Sequence, residues 1–117
     1  MRTLRSAVIV VLLCVGAVSC SSGSSSVASC TPSGPTHTVD LKDFAFEPAC
    51  IGAAAGTHLV LQDTGAAPHT FTVNGTAIDQ RVEPGSGAEV SLEGIAPGTY
   101  HVVCTIHAQM TATLVVT

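Results

Sequence analysis

From residue 36 to residue 117 the apolar and β-branched residues come in pieces of four to seven, each stopped by a break rich in glycine, proline or aspartate. The breaks read GAAAG, DTGAAP, VNG, EPGSG and APG. Pieces of that length suit strands, and the residues between them supply turns, while no stretch repeats apolar residues at helical spacing. Short strands bury an apolar face by stacking one sheet on another, so the pattern predicts an all-β sandwich. The expected strands are His37–Leu41, Cys50–Ala53, His58–Gln62, Thr70–Val73, Ala88–Leu92, Thr99–Cys104 and Thr111–Val116. No internal repeat and no second domain are visible.

The N-terminal end has another character. Arg2 and Arg5 precede an apolar run of 12 residues, Ala7 to Val18, too short for a bilayer and suited to the core of an export signal. The run closes in Ala17-Val18-Ser19-Cys20, which resembles a bacterial lipobox, so residues 1–19 are read as a lipoprotein signal and Cys20 as the lipidated residue. Val27-Ala28-Ser29-Cys30 is a second local match, set off from the apolar core by polar residues and glycine; secretion without a lipid is the plainer alternative. Residues 20–35, rich in Ser, Gly and Pro, cannot bury enough apolar area to fold alone and are expected to form a tether. The folded domain is assigned to residues 36–117. The expected location is outside the cytoplasm, lipid-anchored to the outer face of the membrane or in the periplasm.

Four side chains carry the chemistry. Cys104, His107 and Met110 stand at three-residue steps in CTIHAQM, and His69 lies upstream in APHTF. A thiolate, two imidazoles and a thioether form the donor set of a blue-copper centre, in which soft sulfur suits Cu(I) and imidazole suits either oxidation state. All four positions are filled by protein, leaving none for a substrate or an activated water, so electron relay fits better than catalysis and no small-molecule substrate is expected. Alternation along Thr99–Cys104 puts Tyr100, Val102 and Cys104 on one face, with His107 and Met110 on the following loop.

The other cysteines then sort themselves. Cys14 leaves with the signal and Cys20 takes the lipid, so Cys30 and Cys50 remain and are expected to pair, two free thiols being disfavoured in an oxidising compartment. His37, His58 and His101 are read as ordinary strand positions.

These residues resemble those of the cupredoxins, small blue-copper proteins of the plastocyanin, amicyanin and pseudoazurin type. The likeness runs through Phe44-Ala45-Phe46-Glu47-Pro48, Ala55-Gly56-Thr57, Ala67-Pro68-His69-Thr70, Val82-Glu83-Pro84-Gly85 and Pro97-Gly98-Thr99-Tyr100 to Cys104, His107 and Met110. It implies a Greek-key β-sandwich of about seven to eight strands, one copper ion held near one end by His69, Cys104, His107 and Met110, and electron exchange with larger redox proteins. Two positions depart from the family pattern. Thr70 replaces a frequent Asn and faces Thr105, where a hydroxyl could tie the two ligand loops. Ile106 replaces a frequent Pro, and its free N–H is expected to reach the Cys104 sulfur, raising the potential relative to an Ile106→Pro variant.

Around His107 the residues Ile106, Ala108, Ala66, Ala67 and Pro68 form an expected apolar docking face for redox partner proteins. Without the signal, Lys42 and Arg81 stand against eight scattered acids, a net charge near −6 that excludes nucleic acid and favours basic partners. Nothing suggests an enzyme. Two functions follow: a membrane-anchored shuttle of single electrons, and a copper-holding or copper-delivery lipoprotein with no dedicated redox role. A rigid site with fast exchange between oxidation states marks the first, and copper passed readily to an acceptor marks the second.

Overall fold

The computed structural model describes residues 29–117; the expected export signal and Cys20 lie outside the described residues. Nine strands are present: β1 (Thr38–Lys42), β2 (Ala45–Glu47), β3 (Cys50–Ala53), β4 (His58–Asp63), β5 (His69–Val73), β6 (Asp79–Val82), β7 (Gly87–Ser91), β8 (Gly98–Val103) and β9 (Thr111–Val116). One sheet runs β2-β1-β4-β7 and the other β3-β9-β8-β5-β6. Both are mixed, with β1 parallel to β4 and β3 parallel to β9. No helix occurs among the described residues. The molecule is an all-β sandwich.

Period-two burial builds the core. In β4 the sequence HLVLQD alternates exposed and buried, sending Leu59, Leu61 and Asp63 inward. Facing them are Ile51, Phe71, Val102 and Leu114, all fully buried, while Phe46 and Phe71 meet edge to face at 5.8 Å. Seven strands fall within a residue of the expected positions. The two additions, β2 and β6, are short edge strands, and β6 is the polar sequence DQRV, whose charges suit a sheet edge better than an apolar pattern would.

The second half of the expected tether is docked. Cys30 is disulfide-bonded to Cys50 at the start of β3. Thr36 donates its N–H to the Gly52 carbonyl at 2.7 Å, and its hydroxyl accepts the Gly52 N–H at 3.2 Å. A Cβ on Gly52 would come within 2.6 Å of the Pro32 Cβ, so glycine is what lets residues 32–36 lie against β3.

Candidate metal centre

Two strand ends and one loop converge at one pole of the sandwich. His69 opens β5, Cys104 follows directly on β8, and His107 and Met110 occupy the loop leading into β9. That loop is tied to itself: Cys104 donates its N–H to the Met110 carbonyl, and Met110 donates to the His107 carbonyl, each at 3.0 Å. His69 and Met110 are wholly buried and Cys104 nearly so, while His107 is half-buried.

The Cys104 Sγ lies 3.7 Å from the His107 Nδ1. Two donors about 2.0 to 2.3 Å from one ion, at tetrahedral to trigonal angles, are separated by roughly that distance. The rings of His69 and His107 are 5.1 Å apart. The sulfur accepts the N–H of Thr70 at 3.4 Å. Ile106, expected to be that donor, makes no such bond; its side chain is exposed and its amide does not reach the sulfur.

Thr70 also joins the ligand loops. Its hydroxyl oxygen accepts the Thr105 N–H at 2.8 Å and lies 3.2 Å from the Thr105 hydroxyl and 3.1 Å from that of Thr72. Residues Thr70 and Thr105 therefore fix the spacing between the His69 and Cys104 segments.

Two carboxylates flank His69, and neither stood out among the scattered acids of the sequence. Asp63 Oδ2 lies 2.9 Å from His69 Nδ1, with both side chains fully buried. Asp43, in the β1–β2 turn, accepts the N–H groups of Ala66 and Ala67 at 3.0 to 3.2 Å, which pins the segment before His69. Those two N–H groups, with smaller help from His69 and His107, hold its carboxyl below the ordinary value of 3.8. The continued alternation of β4 was the signal that could have placed Asp63 inside.

Beside Asp43, the Phe44 ring meets His107 edge to face and is 64% exposed, joining Ile106 at 41% and the neighbouring alanines on the surface over the site. Ala66 and Ala108 are exposed, and Ala67 and Pro68 are half-buried. Phe44 was absent from the expected apolar face because that face was built from the sequence neighbours of His69 and His107, whereas Phe44 reaches it from the β1–β2 turn.

No group of three or more His, Cys, Asp and Glu side chains among the described residues stands close enough to hold an ion by itself. His69 turns Nδ1 to Asp63, and its Nε2 is a buried side-chain polar atom with no hydrogen-bond partner. A buried nitrogen without a partner is costly, and a metal satisfies it. With the Met110 thioether, the Cys104–His107 spacing and this free nitrogen, the residues fit copper in donor chemistry.

The family model described as cupredoxin-like domain matches residues 7–116, and the chain belongs to that family. No curated relative matches the sequence. The fold is similar to that of the purple cupredoxin from Nitrosopumilus maritimus, with a TM-score of 0.60 and 14% identity over 69% of this chain and 99% of that one. An oxidised mutant of amicyanin matches with a TM-score of 0.61 and 17% identity over 70% and 82%. The Cu-containing nitrite reductase from Thermus scotoductus matches at 0.60 and 17% over 79% of this chain, which spans only 24% of the reductase.

Proposed function

We propose that this chain is an electron carrier that holds one copper ion through His69, Cys104, His107 and Met110, and that it works outside the cytoplasm, anchored to a membrane through a lipid on Cys20. The observation that carries the reading is the Cys104 sulfur 3.7 Å from the His107 nitrogen, beside a buried His69 whose Nε2 has no protein partner. Copper supplies the exchange of one electron between Cu(I) and Cu(II). The protein supplies a dry pocket for the sulfur, the Thr70 N–H that stabilises its electron density, and loops held at fixed spacing by Thr70 and Thr105. His107, half-buried beneath Phe44, is the exit toward a docked redox protein. The donor set leaves no place for a substrate, which fits a carrier rather than an enzyme.

The test is a Cu(II) titration of the chain lacking residues 1–20, beside a Cys104→Ser variant. An intense visible band saturating at one equivalent, absent from the variant, is expected. A colourless complex in both would overturn the reading.

A further inference from the structure

The chain has a single asparagine, Asn74, and a glycine follows it. The pair lies in the turn that joins β5 to β6, beyond the end of β5 remote from His69. Asparagine is a thermolabile residue, because the backbone nitrogen of the next residue can attack its side-chain carbonyl carbon and close a five-membered ring. A glycine in that next place has no Cβ to hinder the approach. What decides the fate of such a pair is whether the fold shields it.

Here each reacting group is left open. Asn74 and Gly75 are both exposed. Gly75 sits at φ 80°, and a Cβ built on it would meet no atom within 4 Å, so no group crowds the peptide from that side. Among the described residues neither the Gly75 N–H nor the Asn74 side-chain amide has a hydrogen-bond partner, so neither gives up a bond in order to react. The bonds of the turn go elsewhere. Asn74 donates its backbone N–H to the His101 carbonyl at 2.9 Å, and Thr76 donates its N–H and its hydroxyl to the Val73 carbonyl at 3.2 and 2.9 Å. These contacts hold the base of the turn and leave the Asn74–Gly75 peptide at its tip.

We propose that Asn74 is a modification site at which the folded protein deamidates spontaneously. Water takes the Gly75 N–H proton, the nitrogen forms a bond to Asn74 Cγ, and the bond from Cγ to the side-chain nitrogen breaks, that nitrogen taking a proton from water and leaving as ammonia. A second water opens the resulting succinimide at either carbonyl, which leaves aspartate or isoaspartate at position 74. Nothing is oxidised or reduced, and water is the only co-reactant. Each copy thereby gains one negative charge at the pole opposite the metal centre, and the isoaspartate form also gains a methylene in the main chain between β5 and β6. None of this depends on the copper reading of the preceding section.

The test incubates the full-length chain, folded in detergent, in warm and mildly alkaline buffer, beside the same chain unfolded in urea and an Asn74→Gln variant. The folded chain is expected to yield a species one charge more negative on anion exchange, with the mass gain of an amide turned into an acid. That gain should be confined to the peptide holding position 74, and part of it should be labelled by an isoaspartyl methyltransferase. Its rate of appearance is expected to lie within about tenfold of the rate in urea, because the tip of an exposed turn opens at little cost. A slower rate overturns the proposal by showing that the turn protects Asn74, and this comparison needs no variant to fold. An equal gain in Asn74→Gln also overturns it, since the reaction would then lie at a glutamine. Asn74-Gly75-Thr76 has the form of an N-glycan acceptor as well. A sugar on Asn74 in protein isolated from the cells that make it would overturn the proposal in favour of that modification.

Discussion

The Phe44 ring meets the His107 imidazole edge to face, with centroids 5.1 Å apart and planes at 87°. Phe44 makes this contact from a left-handed backbone, φ 68°, which costs a non-glycine residue roughly 1–2 kcal/mol. Strain of this kind collects at functional positions because a packed neighbour holds it in place. Replacing Phe44 by glycine should relieve the backbone and forfeit a contact of about 0.5–1.5 kcal/mol. The net change in stability is expected to stay within about 1 kcal/mol. Electron transfer to a basic haem protein should nevertheless slow, because the largest apolar surface over His107 is gone. Urea unfolding beside stopped-flow oxidation separates the two effects; equal transfer rates would argue against docking at this face.

Thr70→Val removes the acceptor for the Thr105 N–H while keeping the shape of the side chain. The lost bond should cost about 1–3 kcal/mol, read as a lower urea midpoint. The Thr70 backbone N–H still faces the sulfur, so the visible band should survive. A variant as stable as the native chain would show that the hydroxyl does not tie the loops.

Breaking the Cys30–Cys50 bridge frees a loop with a sequence separation of 20 and should cost about 3 kcal/mol. Gly52→Ala should also destabilise, because its Cβ meets Pro32 and the Gly34 carbonyl. The two effects are expected to be less than additive. Once the bridge is gone, residues 32–34 can move away from the new methyl group. A double-mutant cycle by thermal or urea unfolding checks this, and full additivity would mean that the segment stays docked without its covalent link.

Acid should loosen the site end first. The Asp43 carboxyl is held below 3.8 by the Ala66 and Ala67 N–H groups, so its contribution to folding is present above the unfolded value. That contribution is lost as pH falls through the lower, folded value. Unfolding midpoints measured in steps downward from pH 6 should therefore fall below about pH 4, and Asp43→Asn should flatten part of that slope. An identical slope in the variant would exclude Asp43 as a source.

Much of this was readable in the linear sequence. The lengths of the apolar pieces and the turn residues between them located seven strands, whether a strand buries one face, as β4 does, or both, as β5 and β9 do. The strands β2 and β6 were not readable, since three residues and a charged edge carry no clear alternation. His69, Cys104, His107 and Met110 stood out through spacing and donor type, and the structure gathers them at one pole. Their surroundings did not, because hydrogen bonds to a ligand depend on tertiary register rather than on sequence distance. Asp63 lay one residue past the expected end of β4, and Asp43 is more than 20 residues from the amides it binds. The sulfur's donor proved to be Thr70, across from Cys104, rather than Ile106 on the same loop.

The Cys30–Cys50 bond also decides where tension is felt. A pull from the N-terminal side of Cys30 passes through the sulfurs into Cys50 and the edge strand β3, bypassing residues 31–49. Strands β1 and β2 lie within the bypassed stretch, as does the turn that carries Asp43 and Phe44 to the metal end. Force applied ahead of Cys30 is thereby taken up by β3 and its neighbour β9, and the residues that brace His69 and cover His107 remain slack.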